Sequence, residues 1–243
     1  MRNTDKIDRN QHHYKLTAQD LHSRVLFKDK YMIVINKPAA ITVHPGARGN
    51  YSLEEFLDAL MYEYREAPKL AHRLDRDTSG CLILSRRKAA RSKLGIMFEN
   101  KRIKKTYWAV VHGVVKKDGG RIENYIKKEK SEKGWYARTL ETPIKGAKKS
   151  ITKWKVMHRG NDYTCLELEP LTGRTHQIRV HCAETLEHPI IGDWVYGLKS
   201  QEDKDLPLLH LHARSVTIPY YHDEKPIYVE APVPEHMKDK IRL

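Results

Sequence analysis

The second half of the chain carries the strongest constraint. After residue 105, apolar and β-branched residues gather in short runs, at 106–111, 151–157, 163–169 and 174–181, each bounded by Gly, Pro, Asn or Asp. Runs of that length between turn formers read as strands. In the third run Thr164, Leu166 and Leu168 alternate with Tyr163, Cys165 and Glu167, the period of a sheet. In the last run Thr175, Gln177, Arg179 and His181 share one face of the expected strand, and Ile178 and Val180 the other. Whether that polar face lines a cleft or meets solvent is open from alternation alone. The lysine-rich stretch 127–155, with Gly134 and Gly146, reads as a hairpin-and-loop excursion between strands.

The first half mixes two periods. Residues 31–35 (YMIVI) form a strand that Pro38 stops, because proline cannot continue a central ladder. Leu53, Phe56, Leu57, Leu60, Met61 and Tyr64 recur at three- and four-residue spacing, which predicts a helix over 53–66. Ser52 and Glu55 fit a capping box at its start, and Pro68 closes it. A second helix is expected over Lys88–Glu99, with Ala90, Leu94, Met97 and Phe98 on one side. Between the two helices, Cys81-Leu82-Ile83-Leu84 reads as a buried strand. The whole is an α+β chain dominated by a mixed, mostly antiparallel sheet with flanking helices. Residues 1–24 are polar without a clear period and read as an arm, partly ordered against the body.

At 243 residues the chain is long enough to bury a full core in one sheet-rich domain. Its 45 Lys and Arg against 31 Asp and Glu give a formal charge of +14, and a polyanion is the natural partner of such a surface. A merely soluble basic protein is the plain alternative. Cys81, Cys165 and Cys182 are odd in number and far apart, which fits a reducing compartment rather than a disulfide framework. No apolar run has the length of a membrane helix, and the first 13 residues, with Asp5 and Asp8, resemble no secretory signal. A cytoplasmic monomer is expected.

The most informative segment is HRLDRDTSG, residues 72–80, directly before the buried strand. Charged and small residues on a loop held by a rigid element are a common setting for catalysis. The plain reading is a turn, with Asp and Thr as caps and Gly80 supplying positive φ. This loop resembles the signature of the RluA-type pseudouridine synthases, whose catalytic aspartate corresponds to Asp75. Five further segments resemble blocks of that family in the same order. They are VINKPAAITVHPG (34–46), KTYWAVVHG (105–113), LTGRTHQIRVH (171–181), HPIIGDWVYG (188–197) and LHLHARSVTIP (209–219). Two departures stand out. Ala40 occupies a position where the family usually has glycine. The S4 RNA-binding domain of many relatives has no room before Val25.

The resemblance implies an RNA-modifying isomerase in which residues 25–243 form a single catalytic domain with a central RNA-binding cleft. It implies that Asp75 is catalytic, that Tyr107 stacks on the target base and that Arg179 is the active-site arginine that keeps Asp75 ionised. On pattern alone Tyr107 is a core aromatic. Such a reaction breaks the bond between ribose and uracil N1, turns the base and rejoins it through C5. Nothing is oxidised, reduced or hydrolysed overall, so no cofactor is expected. A carboxylate near the ribose is needed, as nucleophile or as base. A base inside a helix must first be flipped out. Expected RNA contacts are Arg73, Lys37, Arg76, Lys101, Arg102, Lys104, Lys105, Arg174 and His176. Basic residues cluster there: residues 86–105 hold nine Lys or Arg and one acid, and 127–155 hold ten more. Solvated faces would look similar.

Fourteen histidines raise a metal reading, with His210 and His212 on one strand face and His176 and His181 near. No carboxylate joins them at ligand spacing, so no metal is expected. A non-catalytic RNA-binding assembly factor is the runner-up, since fold alone would allow it. Large-subunit rRNA is the expected substrate, with tRNA the alternative.

Overall fold

In the computed structural model the described residues are 16–45, 52–131, 134–197 and 207–241. In chain order the regular elements are α1 (Ala18–Ser23), β1 (Val25–Lys28), β2 (Met32–Lys37), a 3₁₀ helix (Leu53–Leu60), β3 (Lys69–Leu70), β4 (Ser79–Ser85) and α2 (Lys88–Glu99). There follow β5 (Lys104–His112), β6 (Gly119–Ser131), β7 (Gly134–Leu140), β8 (Lys148–Arg159) and β9 (Tyr163–Pro170). The chain ends with α3 (Gln177–Val180), a π-helical turn (His181–Thr185), β10 (Leu211–Ile218), β11 (Ile227–Glu230) and a 3₁₀ turn (Glu235–Met237). The fold is α+β, with mostly antiparallel strands and few helices, as expected. No helix among the described residues is long and apolar enough to cross a membrane.

The chain forms two compact units. One comprises residues 16–105 with His212–Val233. Its centre is β4, buried along its whole length, as a continuous apolar run predicts. On one edge β4 pairs antiparallel with β2, from Met32 opposite Ser85 to Lys37 opposite Gly80. It also pairs parallel with β10 through Ser79 and Gly80, and antiparallel with β3 through Leu84 and Ser85. β1 extends β2, and β11 extends β10. Helix α2 falls where its period put it, and Ala90, Leu94 and Met97 pack on Met32, Val34, Cys81 and Ile83.

One expectation in this unit needs correcting. The helix over 53–66 stops at Leu60 and is 3₁₀. Its capping contact is present, with Ser52 N–H donating to Glu55 Oε1 at 2.9 Å. It ends early because Tyr62 turns to φ +50°. Lys28 Nζ sits 4.0 Å from the centre of the Tyr62 ring, Arg86 stacks 4.2 Å from that of Tyr64, and the Tyr64 hydroxyl donates to Lys30 O. Cation–π contacts of ~0.5–1 kcal/mol each outweigh the weak preference for continuing the helix. Part of the polar arm is ordered. Thr17 and Asp20 cap α1 reciprocally, and Leu16 and Leu21 are buried. Residues 1–15 lie outside the described residues.

The second unit comprises Thr106–Leu211 with residues 234–241. Its strands run in the order β5-β9-β8-β6-β7, all antiparallel. The excursion expected over 127–155 is the β6–β7 hairpin and the start of β8. The strand expected over 174–181 is absent. His176 adopts φ +53°, and α3 and the π-helical turn follow it. Of the alternating polar residues, Gln177, Arg179 and His181 each have a buried polar partner. Gln177 Nε2 donates to Ile151 O and Thr152 Oγ1. His181 hydrogen-bonds Thr152, Asn124 and Ser150. Buried polar groups need such partners, and here that requirement produces a sheet-like pattern in a helical segment.

Candidate active site

In the first unit the loop 72–80 is anchored at both ends. Leu74 and Thr78 are buried, Thr78 N–H donates to Asp75 O at 3.2 Å, and the Ser79 hydroxyl hydrogen-bonds His212 Nδ1 at 2.8 Å. Asp75 and Arg76 between these anchors are half-buried, and Arg73 is exposed. His72 packs on Phe98 and accepts from Ile83 N–H at 3.0 Å. Gly80 does more than permit a turn. At φ +106° it also lies so close to β10 that a Cβ there would stand 2.3 Å from Ala213 O. Neither the backbone angle nor the space admits another residue.

Lys37 was expected at the RNA surface, and the structure corrects this. Its side chain is fully buried at the end of β2, opposite Gly80. The ammonium donates to Pro38 O at 2.7 Å, Ile41 O at 3.0 Å and Arg76 O at 2.9 Å. Three N–H groups meet three carbonyls and join the turn after β2 to the loop that carries Asp75. Burial pushes the Lys37 pKa down to about 7, against the opposing pull of Asp77 and Asp75. Ala40, in the same turn, has φ +64°. This is the left-handed region in which glycine is at ease, so the departure noted in the sequence falls where the backbone would favour the family's glycine.

Of the remaining expected contacts in this unit, Lys101, Arg102 and Lys104 are exposed. Lys105 is half-buried, and desolvation lowers its pKa.

In the second unit Tyr107 lies in β5 opposite Leu168 and is 9% exposed. Arg179, in α3, is buried and makes a two-pronged pair with Asp193. Nε donates to Oδ2 and Nη2 to Oδ1, both at 2.7 Å. Asp193 Oδ1 also accepts from Val195 and Tyr196 N–H. Burial alone would raise the Asp193 pKa. The guanidinium and the two N–H groups outweigh it and hold the carboxyl below its ordinary value. Arg179 also lies 5.4 Å from the Tyr196 ring centre. The Tyr196 hydroxyl accepts from Ala137 N–H at 2.7 Å and hydrogen-bonds His176 Nδ1 at 3.0 Å. Arg174 is half-buried, and its Nε donates to Lys149 O.

This unit therefore groups Arg179, Asp193, Tyr196 and His176. Asp193 and Tyr196 are additions, and their signal in the sequence was the block HPIIGDWVYG, whose Asp and Tyr had no assigned partner. Of the histidines raised for a metal, His210 hydrogen-bonds Leu208 O and His212 bonds Ser79. Among the described residues no group of three or more His, Cys, Asp or Glu is arranged to hold a metal ion.

Residues 31–184 match the family described as RNA pseudouridylate synthase. The chain is 39% identical over 220 residues to an uncharacterized RNA pseudouridine synthase of Zymomonas mobilis, covering 90% of this chain and 97% of that one. It is 35% identical over 217 residues to ribosomal large subunit pseudouridine synthase C of Buchnera aphidicola, covering 87% and 67% respectively. Among solved structures, human RNA pseudouridylate synthase domain containing 4 superposes with a TM-score of 0.75 at 25% identity, over 90% of this chain and 91% of that one. The six ordered sequence blocks and these likenesses agree, and the chain belongs to the RluA-type RNA pseudouridine synthases, which are isomerases.

Proposed function

We propose that this chain converts uridines of large-subunit rRNA to pseudouridine, with Asp75 as the catalytic carboxylate. The observation that carries the reading is the setting of Asp75. It is a half-buried carboxylate on a loop anchored by Leu74, Thr78 and the Arg76 carbonyl held by Lys37. In the isomerisation the bond from ribose C1′ to uracil N1 breaks, and a bond from C1′ to C5 forms. The proton on C5 leaves and N1 gains one, so atoms and electrons balance without a redox partner. The carboxylate assists departure of the base, as nucleophile or as base. Tyr107 stacks on the flipped base, which recovers ~1–3 kcal/mol against an extrusion cost of a few kcal/mol. Arg179 takes the role of active-site arginine, with Asp193 fixing its orientation.

For the substrate, the support is the Buchnera relative, named as a large-subunit enzyme. The test is pseudouridine mapping after incubation of the purified protein with unmodified rRNA and tRNA transcripts. We expect modification of large-subunit rRNA by the wild type and none by Asp75→Asn, with RNA binding retained. Modification of tRNA alone would refute the substrate assignment. Turnover by Asp75→Asn would refute the assignment of Asp75.

A further inference from the structure

We propose that the free end of the β6–β7 hairpin is a second RNA-contact surface, in which Trp135 is a stacking platform for an unpaired base and Lys128 and Lys130 meet phosphates. The proposal rests on the RNA-modifying function above and adds a surface remote from Asp75 in sequence.

The strand register places these residues together. Lys130 stands opposite Trp135, Lys128 opposite Ala137 and Ile126 opposite Thr139, so alternation puts all six on one face. Near the root of the hairpin this face is closed. Ile126 and Ala137 are buried with Val180, and Tyr196 packs against them. Thr139 donates to Glu184 through both its N–H and its hydroxyl at 2.7 Å. One step further out the same face opens. Trp135 is 55% exposed, with Lys128 Nζ 4.3 Å from its ring centre.

The two faces differ in charge. On the opposite face Glu129 pairs with Lys127 at 3.3 Å and Arg138 at 3.0 Å and accepts from the Tyr136 hydroxyl at 2.9 Å. That acid is well matched by cations. On the Trp135 face Lys128 and Lys130 have no acidic neighbour among the described residues of the hairpin end. A tryptophan placed only to hold the hairpin would bury its large apolar surface. Here more than half of it is open, beside two lysines on the same face. Aromatic faces that stack bases beside cations that track the backbone are the recurring design of sequence-tolerant RNA contact. The surface is also continuous with the proposed site, since its closed root is the packing around Tyr196, on which Arg179 lies.

The experiment measures the dissociation constant of unmodified rRNA fragments for the wild type, Trp135→Ala, Trp135→Phe and the double variant Lys128→Gln/Lys130→Gln, with thermal melting as a control for folding. Removing one stacked base weakens binding by about 5- to 150-fold, and we expect Trp135→Ala in that range. Trp135→Phe keeps an aromatic face and should recover most of the affinity. The lysine pair should flatten the slope of log affinity against log salt by about 1.4–1.8. Wild-type affinity in a folded Trp135→Ala overturns the proposal, whether or not the change alters self-association. If the wild type forms no pseudouridine but these affinity changes appear, the function proposed above fails and this surface stands. An active wild type with unaltered Trp135→Ala binding fails this surface alone.

Discussion

Replacing Lys37 by Met should remove a specific pH dependence of stability. In the wild type, burial holds the Lys37 pKa at about 7 against its ordinary 10.5. The folded state therefore releases its proton near pH 7, while the unfolded chain keeps it until pH 10.5. Between those values the unfolded state binds more protons, so stability rises with pH. Below pH 7 both states are protonated and this group adds no slope. Each tenfold change in proton affinity is worth about 1.4 kcal/mol, so the whole displacement corresponds to about 5 kcal/mol. From pH 7 to pH 9.5 the wild type should gain about 3 kcal/mol relative to Lys37→Met.

The absolute curve is less informative than the difference. The Cys81 and Cys165 thiols are pushed up to about 12 and about 11 by burial. They lower stability once the unfolded thiols ionise near pH 9, equally in both proteins. The variant also leaves the Pro38, Ile41 and Arg76 carbonyls without the ammonium, at ~1–3 kcal/mol for each buried group left unpaired. That offset does not depend on pH. The assay is urea unfolding of both proteins at several pH values across this range, with the stability difference plotted against pH. A flat difference would refute the reasoning. It would mean that the three carbonyls and the nearby Asp75 and Asp77 hold the ammonium at its ordinary proton affinity.

Ala40→Gly removes a side chain from a left-handed position and should raise stability by up to ~1 kcal/mol, or about 2–4 °C in Tm; a lower Tm would count against strain in that turn. Acid should destabilise the fold through His181 and His210, both buried and both held near 4 by desolvation. Their stabilising effect is complete above pH 6.5 and is lost as pH falls toward 4, at about 2 kcal/mol each by pH 5, and His181→Gln should lose its share of that slope in urea unfolding. Replacing Lys101, Arg102 and Lys104 by Gln should flatten the salt dependence of RNA binding by about 0.7–0.9 for each phosphate that these side chains neutralise; an unchanged slope would make them solvated surface only.

Where local pattern and burial agree, the sequence was readable. The Cys81–Leu84 run, the alternation of β9, the face of α2 and the Ser52–Glu55 cap each report a regular element through its own period. Four features were not readable, for different reasons. Tyr62 ends its helix because of contacts with Lys28 and Arg86, residues brought together only by the fold. Residues 174–181 alternate like a strand because Gln177, Arg179 and His181 each have a buried polar partner. Lys37 looked like a surface cation because nothing local shows three carbonyls converging on one ammonium. Asp193 was visible only as an unassigned acid, and its two-pronged match to Arg179 is a matter of geometry.

The Ala40 departure gains meaning from this arrangement. In the role proposed above, Asp75 has to be held tightly near the ribose, since a misplacement of about 1 Å can cost ~100-fold in rate. The loop that carries Asp75 is anchored through backbone carbonyls. Lys37 grips Arg76 O, the carbonyl next in sequence to Asp75, and its other two N–H groups grip Pro38 O and Ile41 O. Ala40 lies between those two carbonyls, in a backbone conformation that alanine resists. Relaxing that conformation would pull at least one carbonyl from the buried Lys37 Nζ. Such a break, at ~1–3 kcal/mol for each carbonyl, offsets the ~1–2 kcal/mol of a left-handed alanine. The second motif of the family and its first are therefore joined here: the turn after β2 holds the lysine, and the lysine holds the loop that carries Asp75.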